Sequence, residues 1–273
     1  MSLLIQISDP HFGTERPPVV EALLCLVHAQ VPDLVVMSGD ITQRARRRQF
    51  DAARAFVARL RAPATLVIAG NHDIALYNIA ERMLAPYAAY RRAFGRDLEP
   101  TFESASMLVL GVNTTRPYLH ERGAVSASQI ERVARRLERA APAQLRVVVT
   151  HQPVCVIAPE DAHDLLIGHE RAVRRWTAAG VDLVLGGHIH LPFVRALGAC
   201  HAGLPRRAWA VQAGTAVSSR VRGEAGNSVN LIRTEGALPR RCVVERWDYR
   251  ADADRFEPVE VDTLDCDDAA VTR

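Results

Sequence analysis

The chain of 273 residues contains no lysine, so all 34 of its Lys-plus-Arg positions are arginine. Chemistry that needs an ε-amine is thereby excluded: a phosphate-binding P-loop, a Schiff base, or the ATP-positioning lysine of a kinase. Beside abundant alanine and arginine, the lack reads as codon usage. Cysteine is also scarce. Cys25, Cys155, Cys200, Cys242 and Cys266 are odd in number and scattered, with no C-x-x-C pair. No disulfide framework or zinc knuckle is expected from this spacing, and a reducing compartment fits it. No apolar run approaches the roughly 20 residues of a membrane helix. The stretch Met1–Asp9 lacks a basic n-region and a cleavage site. The expectation is a cytoplasmic protein with no membrane partner. No internal repeat suggests a solenoid or propeller.

Charge of either sign is weak in excess, at 34 basic against 31 acidic residues and a formal +3. A nucleic-acid binder needs a denser basic face. Only Arg44, Arg46, Arg47 and Arg48 come close, and they read as the solvated opening of a helix. At 48% hydrophobic and 24% charged residues, the composition supports a buried core and rules out a disordered or fibrous chain.

Short β-branched runs alternate with longer helical patterns over the first two thirds, as in a sheet with helices on its faces. Strands are expected at Leu3–Ser8, Leu34–Ser38, Ala64–Ala69, Met107–Asn113, Leu145–Thr150 and Val181–Leu185. Several are continuously apolar, the mark of strands covered on both faces. Phe50, Ala53, Phe56, Val57 and Leu60 recur at helical spacing, as do Ile130, Val133, Ala134 and Leu137. The second of these helices starts at a Ser126/Gln129 capping box. Further helices are expected over about Leu76–Phe94 and His169–Ala179. After Gly187 the segments Ala208–Gln212, Ser228–Ile232, Cys242–Trp247 and Phe256–Val261 look like antiparallel strands. The acidic tail 262–273 is expected to fray.

The strand ends carry the chemistry. Asp9-Pro10-His11, Gly39-Asp40, Gly70-Asn71-His72-Asp73, His151 and Gly187-His188-Ile189-His190 each close an expected strand. In such a sheet ligands bind outside the carboxyl ends, so these scattered donors converge. Pro10 is expected to hold Asp9 extended, so that Asp9 and His11 project to one side. Gly39, Gly70 and Gly187 permit tight turns and close backbone approach. Carboxylates, an amide and imidazoles without thiolate favour Mn, Fe, Zn or Co over a structural zinc cage.

In these residues the sequence resembles the calcineurin-like metallophosphoesterase superfamily, whose signature D-x-H, G-D, G-N-H-[DE], H and G-H-x-H is matched in order between about residues 3 and 190. It is most similar to the class III cyclic-nucleotide phosphodiesterase-like branch. The resemblance implies an α/β fold, a four-layer α/β/β/α sandwich, with residues 1–215 forming the catalytic domain and 216–261 an antiparallel β extension of it. It further implies that Asp9, His11, Asp40 and His190 hold one divalent ion and Asp40, Asn71, His151 and His188 the other, with Asp40 bridging. A hydroxide between two ions about 4 Å apart is then the nucleophile for an anionic phosphate ester.

His72, which that scheme does not need as a ligand, is left to protonate the leaving oxygen, with Asp73 orienting it. Asn71, His72, Thr42, Arg44 and Asn113 are the candidate substrate contacts, and Gly214-Thr215 is a weaker one. His28, His120, His163, His169 and His201 match no motif. The expected activity is hydrolysis of a small nucleotide or headgroup diester. The alternatives are a monoesterase, a nucleotide-lipid pyrophosphatase, a nuclease on the same fold and a non-catalytic scaffold. Open strand edges leave room for a homodimer.

Overall fold

The computed structural model describes residues 1–76 and 79–266. Along the chain lie β1 (Ser2–Ile7), α1 (Pro17–Gln30), β2 (Leu34–Ser38), α2 (Arg47–Leu60), β3 (Thr65–Ile68), α3 (Ile79–Leu84), α4 (Ala88–Phe94), β4 (Thr101–Glu103) and β5 (Met107–Gly111). There follow α5 (Ala127–Glu138), β6 (Leu145–Val149), α6 (His169–Ala178), β7 (Leu183–Gly186), β8 (Phe193–Ala196), β9 (Trp209–Gln212), β10 (Ser228–Thr234), β11 (Arg241–Arg250) and β12 (Arg255–Asp265). They build two sheets, ordered β12-β11-β10-β1-β2-β3 and β4-β5-β6-β7-β9-β8.

Alternation along each strand sorts its side chains between two apolar layers. In β1, Leu3, Ile5 and Ile7 join Val35 and Met37 of β2 against α1, α2 and α4. Leu4, Leu34 and Val36 point the other way, onto Val147, Val149, Leu183 and Leu185 of the second sheet. Val148 and Val184 face α5 and α6, where Ile130, Val133, Leu137 and Trp176 complete a third layer. Three apolar layers between four layers of backbone give the expected α/β/β/α sandwich. Each fully buried Val, Leu or Ile contributes about 1.5–3 kcal/mol relative to exposure, which is why the central strands read as unbroken apolar runs.

The parallel pairings β1-β2-β3 and β5-β6-β7-β9 bring the carboxyl ends of these strands to common edges. Gln6 locks the two sheets together there, its side-chain amide donating to Ser38 Oγ at 3.2 Å and to the Gly186 carbonyl, across the sandwich, at 2.9 Å.

Several expectations change. The helix expected over Leu76–Phe94 is two helices, α3 and α4, separated at Ala85-Pro86-Tyr87, because Pro86 has no N–H to continue the ladder; Tyr77 and Asn78 lie outside the described residues. Ala208–Gln212 becomes β9, which runs parallel to β7 and antiparallel only to β8. The strands after it extend the first sheet, β10 pairing antiparallel with β1 and β11 and β12 following in order. The tail does not fray at Asp262. β12 stays paired with β11 through Asp265, with Asp265 exposed while Leu264 and Cys266 enter the intersheet layer; residues 267–273 lie outside the described residues. Cys155 and Cys200 form a disulfide, the chain bringing their Cα atoms to 5.9 Å across 45 residues of sequence. Cys25, Cys242 and Cys266 are free. The Ser126/Gln129 capping box is present, with Gln129 N donating to Ser126 Oγ at 3.2 Å and Ser126 N to Gln129 Oε1 at 2.9 Å.

Candidate metal centre

The loops leaving β1, β2, β3, β6 and β7 meet at one edge of the sandwich. Positive φ angles mark them: Asp9 (49°), His11 (44°), Asp40 (46°), His188 (73°) and His190 (56°) all lie in the left-handed region. Non-glycine residues adopt it at a cost and are kept there by their surroundings. Asp9 is therefore not extended before Pro10 as the sequence suggests, and the left-handed turn is what aims it inward. The glycines leave room that nothing larger could. A methyl at Gly187 would collide with Ser8 Oγ and Asp9 Oδ2, one at Gly70 with Asp40, and one at Gly39 with the His151 ring.

Three overlapping groups of donors result, Asp9/His11/His190, His11/Asp40/His72 and Asp40/His151/His188, so that His11 and Asp40 link the outer two. Asp40 Oδ2 lies 3.8 Å from His11 Nε2, and its Oδ1 lies 3.2 Å from His151 Nε2. On one side His190 Nε2 is 3.4 Å from Asp9 Oδ1 and 3.0 Å from His11 Nε2. On the other, Asn71 Oδ1 is 3.1 Å from His151 Nε2. Three of the imidazoles are turned by an outer partner, whereas His11 Nδ1 is buried with none among the described residues. His151 Nδ1 donates to the Ser38 carbonyl at 3.0 Å and His190 Nδ1 to the Arg220 carbonyl at 2.6 Å, which leaves the Nε2 of each facing inward. His188 is reversed: its Nε2 meets Asp164 Oδ1 at 3.2 Å, so Nδ1 faces the site. Ser8 Oγ donates to Asp9 Oδ2 at 2.5 Å, and Thr215 Oγ1 donates to the Asp9 carbonyl at 2.6 Å.

The electrostatics fit cations. Burial works against charge on His151, yet Asp40 holds its pKa up at about 9. Burial likewise opposes ionisation of Asp9, but the hydrogen bond and charge of His190 bring its pKa down to about 2. Asp40 is held well below the usual carboxylate range by His151, His72 and His11, again against burial. His11 is pushed down to about 3 by burial, which leaves a neutral ring with a lone pair. Two ionised carboxylates among four imidazoles, three of them oriented by outer partners, form the donor set of a divalent-metal pair once the protonated rings give up their protons. A cation entering such a set displaces protons from it.

A family model for calcineurin-like phosphoesterases matches residues 3–192. The chain belongs to that family. This calcineurin-like phosphoesterase is 26% identical over 216 residues to a probable cyclic nucleotide phosphodiesterase of a Synechococcus strain, covering 71% of this chain and 76% of that one. Its fold is similar to that of a dimetal phosphatase from Danio rerio, with a TM-score of 0.68 at 12% identity over 97% of this chain and 99% of the other. It is also similar to a purple acid phosphatase from yellow lupin, with a TM-score of 0.67 at 11% identity; there the match spans 97% of this chain but 53% of the lupin enzyme.

All seven predicted ligands of the phosphoesterase centre come together, and His72 stands beside them. Its Nε2 is 4.0 Å from Asp40 Oδ2 and its ring centroid 4.9 Å from that of His11. The residue that turns it is not Asp73. His72 Nδ1 donates to the Gln43 carbonyl at 2.8 Å. The Asp73 carboxylate instead accepts from the N–H groups of Ile41, Thr42 and Gly70 at 3.0, 2.8 and 2.9 Å and from the Thr42 hydroxyl at 2.9 Å, stitching the β2 and β3 loops together. Burial, then the charge of Asp40, raises its pKa to about 6 against those donors.

Two substrate candidates also turn inward. Thr42 is fully buried on Asp73 and caps the turn at Ala45 N. Asn113 accepts from the Thr115 N–H and hydroxyl and donates to Tyr87 Oη at 3.2 Å. Both side chains are engaged in turns of the protein itself. Arg44 does border the cavity of about 200 Å³ over the centre, with Gln43, Asn71, His72, His120 and Arg220. Sequence reasoning missed Asp164 and Arg220, which sit in segments without a motif; the only hint is the polar run after Gly214-Thr215.

Proposed function

We propose that the protein is a phosphodiesterase acting on small nucleotide or headgroup esters with two divalent ions of Mn, Fe or Zn. The observation that carries this reading is Asp40, whose two oxygens face the two donor groups from opposite sides at 3.8 and 3.2 Å. The likeness to a probable cyclic nucleotide phosphodiesterase supports the diester. Asp9, His11, Asp40 and His190 would hold one ion, and Asp40, Asn71, His151 and His188 the other. A bound pair supplies Lewis-acid charge and an activated water for in-line attack at phosphorus.

The chain's own groups do the rest. The Gln43 carbonyl accepts from His72 Nδ1 and fixes the ring, so Nε2 is the atom that, in the imidazolium form, hands a proton to the leaving oxygen. Asn71, with Oδ1 directed inward, leaves its amide N–H groups to orient a phosphoryl oxygen. General acid help is worth about 10²–10⁴ in rate. His72→Ala is expected to lower kcat by that order with metal content intact, and normal turnover in that variant removes the assignment.

The test of the activity is a panel of bis-p-nitrophenyl phosphate, p-nitrophenyl phosphate and 2′,3′- and 3′,5′-cyclic nucleotides with Mn²⁺. Higher kcat/KM for the diesters is the expected result, and a strong preference for the monoester overturns it.

A further inference from the structure

Arg220 and Arg222 lie two residues apart on the segment between β9 and β10, and they are treated differently. The Arg222 guanidinium is paired with the buried Asp161 carboxylate at 2.8 Å and donates to the Ile189 carbonyl at 3.1 Å. It staples the segment to the β7 loop. Arg220 reaches the other way, over the mouth of the centre. Its Nη1 donates to His72 Nε2 at 3.2 Å and to Gln43 Oε1 at 3.4 Å.

Both of those acceptors are uncharged, and Arg220 meets no carboxylate within ion-pair distance among the described residues. Its Nη2 and Nε protons are directed to no protein acceptor there. The same residue's carbonyl holds His190 Nδ1 at 2.6 Å, so the guanidinium is tethered to the centre at its base. Arg44 and His120 border the same cavity, against one acid, Glu121.

A simple diester carries one negative charge, which the centre below takes up. A second, uncompensated cation at the rim has nothing to pair with on such a substrate. A planar guanidinium with free N–H groups is suited to bidentate capture of a phosphate or carboxylate.

We infer that Arg220 is a specificity-determining residue, selecting phosphodiesters whose substituent carries a second anionic group, a phosphate or a carboxylate. The inference rests on the phosphodiesterase reading and narrows its substrate class. Binding of the second anion takes the guanidinium from His72 Nε2, which frees that lone pair to take up a proton from water and then to face the leaving oxygen as its donor.

The test uses two probes with the same leaving group, thymidine 5′-(p-nitrophenyl phosphate) and its 3′-phosphorylated form, with the Mn²⁺-loaded full chain. The wild type is expected to favour the 3′-phosphorylated probe by about ten- to a hundredfold in kcat/KM, mainly through KM, the scale of a charge-assisted hydrogen bond. In Arg220→Gln that preference falls to about threefold or less, and Arg220→Lys restores part of it. The Mn²⁺ content of Arg220→Gln stays at the wild-type level, because the carbonyl on His190 is retained. Should that variant lose metal, the wild type still decides the matter, since screening collapses the preference between about 20 mM and about 0.5 M salt.

Equal kcat/KM for the two probes in the wild type overturns the inference and leaves the phosphodiesterase standing. An equal fold-loss on both probes in metal-replete Arg220→Gln does the same. Hydrolysis of neither probe overturns the phosphodiesterase reading itself.

Discussion

The floor and the rim of the site are built by opposite means. On the floor, Asp9, His11, Asp40 and His151 are buried, held in strained or crowded backbone, and each is fixed by a partner from another strand end. On the rim, Arg44, His120, Glu121 and Arg220 are exposed side chains on loops, and the Arg220 guanidinium is held only by neutral acceptors. A floor determined from many directions suits groups that must hold cations in one geometry. An exposed rim suits groups that recognise what varies between substrates. In the proposed function, chemistry falls to the buried half and selectivity to the exposed half.

The comparison can be broken at the floor first. Asp40→Ala removes the bridge and is expected to lower activity on the order of 10³-fold or more, with loss of bound metal by elemental analysis. An active, metal-replete Asp40→Ala would end the distinction. One step outward, Asp164→Ala takes away the partner of His188 Nε2 and is expected to weaken metal binding about 10–100-fold, read by competition with a chelator. Unchanged affinity would show that Asp164 merely covers the ring. The smallest effect sharpens the boundary between site and scaffold. Asn113→Ala is expected to cost about 1 kcal/mol in thermal stability with KM as in the wild type, and a raised KM would return Asn113 to the substrate contacts.

Much of the floor was legible in the sequence because strands covered on both faces read as apolar runs, and their ends are then easy to find. Met37-Ser38-Gly39-Asp40 and Leu185-Gly186-Gly187-His188 are of this kind. What was not legible depends on direction rather than identity. Thr42 and Asn113 have the chemistry of substrate contacts and Asp73 that of an orienting carboxylate, but nothing local tells that their oxygens are taken by N–H groups and hydroxyls of nearby loop residues. Helix α1 escaped because its apolar residues cover more than one face, with Val19, Val20, Leu23, Leu24, Leu26 and Val27 all buried. Strands β4 and β8, of three and four residues, are too short to show a period. Arg220 is joined to the site through His190, His72 and Gln43, and Asp164 through His188, links that spacing does not encode.

The central claim is that donors from five strand ends hold a pair of divalent cations bridged by one carboxylate. Titration of the metal-stripped chain with Mn²⁺, followed by elemental analysis, measures this directly. The account predicts about two ions per wild-type chain and at most about one in Asp40→Ala. A wild-type chain that binds no more than one ion, or an Asp40→Ala chain that still binds two, would contradict it.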